Sequence, residues 1–308
     1  MRVRYYISFN EGRAGYPRVL RLAQKVGCDE GLKGPDKFFC GFFGYTFESD
    51  DPRLELLRDA LRDAGIAWSE RIEHVYADDE LCGAALLWLT VSRAPMCCHE
   101  IRTGTTYDLS VACPACGTGA VQTSPLVIRR GRLPKKADIC DAGWGCGPIL
   151  VSTRIADSLR KAGLSGAELR QARACRTGEP LEWWQIIAAH VMPRISRQSE
   201  NLIRDTGALV EGGREWGCDV CKRDMHAARG SEPLDIVYER SEVDPEQLPD
   251  AVQTWECFGR SVPRDDPEHH DVQGYARPLL LVKPRVMELL RAEKVRGAQF
   301  TPARIVGD

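Results

Sequence analysis

Two cysteine pairs, Cys113-Pro-Ala-Cys116 and Cys218-Asp-Val-Cys221, have the residue type and spacing that could do chemistry. A C-x-x-C turn presents two thiolates from one tight loop, as a tetrahedral Zn²⁺ requires at about 2.3 Å per sulfur. Four thiolates fill the zinc shell and leave no position for a reactive water. A site built from Cys113, Cys116, Cys218 and Cys221 is therefore expected to be structural rather than catalytic. Pro114 and Gly117 favour the turn in the first pair, whereas Lys222 follows the second. The stretch between the pairs is far longer than zinc-ribbon spacing, so a folded insertion must bring them together. Two other readings stay open: thiols without a metal, and a redox pair, which normally sits between a strand and a helix.

Other reactive residue types carry less. Cys97-Cys98-His99-Glu100 reads as a loop with buried thiols, because adjacent residues rarely bind one metal well. His226 is a substitute ligand for the second pair, and His269-His270 reads as solvated. Trp183-Trp184 reads as core. There is no GxGxxG after a strand, no P-loop, no GxSxG and no HExxH. Nothing assembles a nucleophile, a base and an orienting group, so the chain is not expected to be an enzyme.

The elements that must position these residues read as α+β. The 308 residues are 43% hydrophobic and 28% charged, the range of a globular protein of two domains or one large one. Residues 1–104 are expected to form an N-terminal α+β module. It has a strand over 2–9, a loop with buried aromatics over 10–52, a helix from Asp51-Pro52 to Gly65, and strands at 67–75 and 84–92. Residues 105–308 form the double-CxxC lobe, with a strand over 107–113 and two helices over 180–206 separated at Pro193. Sliding the chain by 131 positions lays 148–173 on 279–304. Leu150/Leu281, Val151/Val282, Arg154/Arg285, Leu159/Leu290, Gly166/Gly297 and Ala167/Ala298 then coincide. Each segment reads as strand, helix, strand, an internal duplication in a mixed-sheet fold with zinc-ribbon-like CxxC pairs.

Charge separates the remaining function classes. The net charge of −2 argues against a wholly basic nucleic-acid binder. It hides a basic loop (Arg129, Arg130, Arg132, Lys135, Lys136) and an acidic stretch at 232–272, where twelve acids face three arginines. The N-terminus MRVRYYISFN runs into Glu11, Arg13 and Arg18, and the longest apolar run is far short of the ~20 residues that span a membrane. A cytoplasmic protein with no membrane partner is expected. In that reducing compartment its 13 cysteines are buried apolar side chains, metal ligands or catalytic thiols.

Cys113–Gly117, Cys218–Cys221 and the segment Arg277–Ala303, with its apolar strand, R-x-x-x-L-R and G-A-x-F, resemble the double-CXXCG motif proteins, a paralogous group expanded in myxobacteria. The likeness covers roughly the last two hundred residues. It implies an immunity protein, a stoichiometric binder that covers or locks a cognate toxin domain, with structural zinc. Complementary charge speeds such association. The acidic stretch, with Asp235, Glu239, Glu242, Asp244, Glu246 and Asp250, is the expected partner face. The alternative is a zinc-ribbon nucleic-acid binder using the basic loop against phosphates.

Overall fold

The computed structural model describes residues 1–9, 12–28, 43–91, 103–115, 118–142, 147–196, 198–199, 220–221, 225–226, 235–258 and 277–307. The chain is α+β, with five α-helices among these residues. It divides into two compact units between Ala77 and Asp78.

In the first unit, β1 (Arg2–Phe9) is the middle strand of an antiparallel sheet, flanked by β2 (Phe43–Glu48) and β3 (Ser69–Val75). Two helices, α1 (Gly12–Lys25) and α2 (Arg53–Asp63), complete it. Ile7, Phe9, Val19, Ala23, Tyr45, Phe47, Leu54, Leu57 and Leu61 form one core. α1 and β2 occupy a stretch that composition alone marks as loop. Val19, Leu22, Ala23 and Val26 recur at helical spacing and pack against the core, which outweighs the weak helix propensity of Gly12, Gly15 and Pro17. α2 begins as expected, with Asp51 Oδ1 accepting the Arg53 amide at 3.0 Å. It ends at Gly65, whose φ is +62°.

The second unit starts with α3 (Asp78–Cys82) and β4 (Leu86–Val91). There follow β5 (Tyr107–Asp108), β6 (Val121–Gln122), β7 (Val127–Ile128), a 3₁₀ turn (Arg130–Arg132) and β8 (Ile139–Asp141). β9 (Ile149–Ser152), α4 (Thr153–Lys161), β10 (Ala167–Ala174), β11 (Pro180–Ala188) and β12 (His190–Val191) come next. The chain continues as β13 (Met225–His226), β14 (Val237–Glu239), β15 (Ala251–Gln253), β16 (Cys257–Phe258), β17 (Leu280–Val282), α5 (Pro284–Ala292) and β18 (Ala298–Val306). One sheet has the order β7-β10-β11-β9-β8, another the order β12-β15-β17-β4-β18-β14. The short ladders β5–β6 and β13–β16 lie apart from these.

Two expectations are corrected here. Residues 180–188 are a strand, not a helix. Their burial follows a two-residue rhythm through Leu181, Trp183 and Gln185, and aromatic and β-branched side chains suit a pleated, half-buried surface. Residues 194–196 are not helical either, and 200–206 lie outside the described residues. The strand expected over 107–113 stops at Asp108, where the Asp108 carboxylate accepts the Ser110 amide at 2.8 Å and turns the chain towards Cys113. The division at Ala77/Asp78 also differs from the expected 104/105, because β4 is an interior strand of the six-stranded sheet, paired with β17 and β18.

Segments 148–173 and 279–304 are both strand–helix–strand, as β9-α4-β10 and β17-α5-β18. Each uses a glycine of positive φ before its second strand, Gly166 at +80° and Gly297 at +94°. At Gly166 the approach is also close, since a Cβ would lie 2.4 Å from the Ala251 carbonyl and 2.6 Å from Pro249 Cβ. At Gly163, φ +67°, a Cβ would meet nothing within 4 Å. Gly163→Ala is expected to cost about 1–2 kcal/mol for the left-handed backbone alone. Gly166→Ala should cost clearly more, as equilibrium urea unfolding of the two variants will measure.

Candidate metal and partner-binding sites

The two CxxC motifs fall in different connections along the chain, and the short ladders near them meet. β5, six residues before Cys113, carries Tyr107, whose phenol oxygen accepts a hydrogen bond from Arg277. The Arg277 guanidinium also lies over the Tyr107 ring, 5.3 Å from its centroid. The Arg277 backbone exchanges hydrogen bonds with Phe258 of β16, at 2.9 and 2.7 Å. β16 pairs in parallel with β13, which starts four residues after Cys221. Cys113 is buried, its amide donating to Thr118 O at 2.9 Å, and Cys221 is half-buried. Cys116 and Cys218 lie outside the described residues, and no group of three metal-ligating side chains occurs among the described ones. Cys97, Cys98, His99, His269 and His270 also lie outside them.

Among the described residues the remaining thiols divide by burial, with Cys175 half-buried. Cys28, Cys140 and Cys257 are buried, whereas Cys82 is exposed. Trp183 joins the core with Leu126, Ile128, Cys140 and Leu150. Trp184 donates its indole N–H to Thr153 Oγ1 at 3.2 Å and lies under Arg160, 3.9 Å from the guanidinium.

The basic residues sit on the β7–β8 connection. Arg129, Arg130, Arg132, Lys135 and Lys136 are all exposed, and Arg130 makes one exposed ion pair, with Glu179 at 3.5 Å. The connection is pinned at its far end by Asp138. Its carboxylate accepts from Arg154 Nη2 and Ser152 Oγ, each at 2.7 Å. The Arg154 hydrogen bond, assisted by that of Ser152 and opposed by partial burial, holds Asp138 below the usual carboxylate range.

The acidic candidates divide by exposure. Glu242, Asp244 and Glu246 are exposed on the β14–β15 connection. Asp244 shapes that loop, its two oxygens accepting from the Glu246 amide at 3.0 Å and Gln247 Nε2 at 2.7 Å. Asp235 is paired with Arg304 at 2.5 Å, and Glu239 accepts from Ser196 and Gln198. Asp250 is only 4% exposed. It accepts from the amide and hydroxyl of Ser165 at 2.8 and 2.6 Å and faces Arg285 at 3.3 Å. Asp250 is thus a buried anchor of the fold.

Charge counting along the chain also missed a buried pair. Glu256, 2% exposed, accepts the Ile195 amide at 2.8 Å. The fully buried Tyr238 phenol is pushed well above its ordinary range by desolvation and then by the Glu256 charge. Glu256 is therefore held inside the fold and is not displayed on the surface. The only sequence signal for this was its place between Trp255 and Cys257 in an otherwise apolar run.

No protein-family model matches the chain, and no curated protein matches it. No helix among the described residues is long and apolar enough to cross a membrane.

A depressed carboxylate stabilises the fold above its unfolded pKa of about 3.9, and that contribution is lost as pH falls through the lower folded value. Asp138→Asn should therefore lower the urea midpoint at pH 7, with a smaller difference at pH 3. Urea titrations of both proteins at the two pH values check this.

Proposed function

We propose that the protein is an immunity protein, a cytoplasmic binder without turnover that neutralises a cognate bacterial toxin domain by stoichiometric occlusion. The observation that carries this reading is the exposed carboxylate group Glu242, Asp244 and Glu246, on a loop anchored at both ends by β14 and by buried Asp250. Fixed negative charge on an anchored loop suits fast capture of a basic protein surface, because charge complementarity raises association rates. The motif resemblance at Cys113–Gly117, Cys218–Cys221 and Arg277–Ala303 points the same way.

In this reading Cys113, Cys116, Cys218 and Cys221 hold one structural Zn²⁺, and residues 148–173 and 279–304 descend from one duplicated unit. The donor set suits zinc, since four thiols can supply a closed tetrahedral shell. The linkage of Tyr107, Arg277, Phe258 and β13 brings the flanks of the two turns into one neighbourhood. When bound, the metal supplies a cross-link between the two connections and no reactive position.

One observation favours a second reading. The five basic side chains of the β7–β8 connection are all exposed, as phosphate contacts need.

In this reading a toxin gene lies beside this one, and the toxin domain it encodes forms a one-to-one complex with the full chain. The triple variant Glu242→Lys, Asp244→Lys, Glu246→Lys should slow association by about tenfold or more at low salt. An unchanged association rate removes the acidic face, and absence of any complex removes the immunity reading. Salt-dependent nucleic-acid binding lost with Arg129, Arg130 and Arg132 would favour the second reading. Elemental analysis should find about one zinc per chain, lost on Cys113→Ala, and zinc-free protein would remove the metal.

A further inference from the structure

We infer that the unit from β4 to β18 is two consecutive copies of one element series, and that each copy has lent its first strand to the other copy's sheet. The series is first strand, CxxC motif, parallel edge strand, antiparallel flanking strand, strand, helix, strand; in the second sheet the flanking strand β15 carries β12 outside it. Setting aside the short strands β5, β6, β12, β13 and β16, it reads β4, Cys113–Cys116, β7, β8, β9, α4, β10 and then again β11, Cys218–Cys221, β14, β15, β17, α5, β18. No rearrangement of chain order is needed to superpose the two.

The pairing registers agree over the stretches both sheets share, except that β10–β11 shifts at a bulge after Gln171 and pairs Arg173 with Pro180, while β18–β4 runs on to Ala303 and Leu86. In the first sheet Leu150 and Val151 face Gln185 and Trp184, and in the second Leu281 and Val282 face Trp88 and Leu87. Ala167 through Gln171 face Ala188 through Trp184, as Ala298 through Pro302 face Val91 through Leu87. Arg173 and Ala174 run parallel to Val127 and Ile128, as Arg304 and Ile305 run parallel to Val237 and Tyr238. Ile139, Cys140 and Asp141 face Val151, Leu150 and Ile149, as Ala251, Val252 and Gln253 face Val282, Leu281 and Leu280. The agreement extends to single bonds outside the ladders. The Ser152 amide donates to Asp138 O and the Lys283 amide to Asp250 O. Ala142 donates to Pro148 O as Thr254 does to Leu279 O.

These equivalences make β4 the counterpart of β11. Yet β4 lies between β17 and β18 of the later copy, and β11 lies between β9 and β10 of the earlier one. The contact between the sheets is reciprocal, as between two copies related by a two-fold. Arg154 Nη2 donates to the carbonyl of Glu293, the residue that ends α5, at 3.1 Å. Its counterpart Arg285 donates to the carbonyl of Ala162, the residue that ends α4, at 2.7 Å. A guanidinium at a helix C-terminus is favourable for either helix. Each arginine also reaches the aspartate before its own copy's antiparallel flanking strand, Asp138 before β8 or Asp250 before β15. β11 lies against β15 and β4 against β8, which completes the reciprocity. The surface between the lobes therefore fits a second copy of the same unit, which this chain supplies to itself.

Cysteine pairs in the full chain test the exchange, with disulfides mapped by mass spectrometry of peptides after mild oxidation. Thr90→Cys with Gln299→Cys, and Ile187→Cys with Glu168→Cys, should cross-link within the chain. The unexchanged pairings, Thr90→Cys with Glu168→Cys and Ile187→Cys with Gln299→Cys, should not. Linkage of either unexchanged pair overturns the inference. As a measurement independent of new cysteines, Arg154→Ala and Arg285→Ala should each lower the melting temperature. A loss confined to one of them overturns the reciprocal contact.

Discussion

A strand–helix–strand unit whose two strands run parallel with a gap between them is incomplete until a third, antiparallel strand fills that gap. Neighbouring strands stand about 4.8 Å apart, so the gap is one strand wide and lined on both sides by unpaired backbone N–H and C=O groups. Leaving those groups buried without partners costs more than any single side-chain contact recovers. β9-α4-β10 and β17-α5-β18 each impose this demand, and β11 and β4 meet it. Because β4 comes from before the first such unit and fills the second, the chain must cross between the sheets. Each crossing segment, between β4 and β7 and between β11 and β14, carries one CxxC motif. A zinc ion shared by the two turns would tie together the connections that the strand geometry forces to exist.

The same arrangement gives the local charges a common frame. The basic Arg129–Lys136 stretch connects β7 to β8, and the acidic 240–250 stretch connects β14 to β15. These are the same connection in the two lobes, bearing opposite charge. Each ends in an aspartate held by a helix arginine, while the exposed side chains before it differ in charge. The near-zero net charge of the chain therefore hides two exposed loops of opposite sign.

Much of this was legible in the sequence where the signal is local. Leu150, Val151, Ile155 and Leu159, and their counterparts 131 positions on, mark strand and helix by apolar spacing, and Gly166 and Gly297 mark the turns. All four named side chains of the first copy are fully buried. Trp183-Trp184-Gln-Ile-Ile was misread as helix because a short apolar run fits either period. Only its partners Leu150 and Leu169 decide for a strand. α1 was missed because glycine and proline dominate its first turns while its apolar stripe lies later. The strand exchange has no local signature at all. Leu86-Leu-Trp-Leu-Thr-Val and Trp183-Trp-Gln-Ile-Ile-Ala share no residue at equivalent positions, since each was fitted to a different pair of neighbours. The partner face was half legible. Charge counting finds Glu242, Asp244 and Glu246, but burial of Asp250 and Glu256 depends on Ser165, Arg285 and Ile195, which lie far away in sequence.

Native-state hydrogen exchange of the β4 amides tests the gap-filling role most directly. The account predicts that Leu87 and Leu89 are protected to the same opening free energy as Leu281 in β17 and Phe300 in β18, because the three strands can open only together. Exchange of the β4 amides at loop-like rates while β17 and β18 stay protected would contradict it.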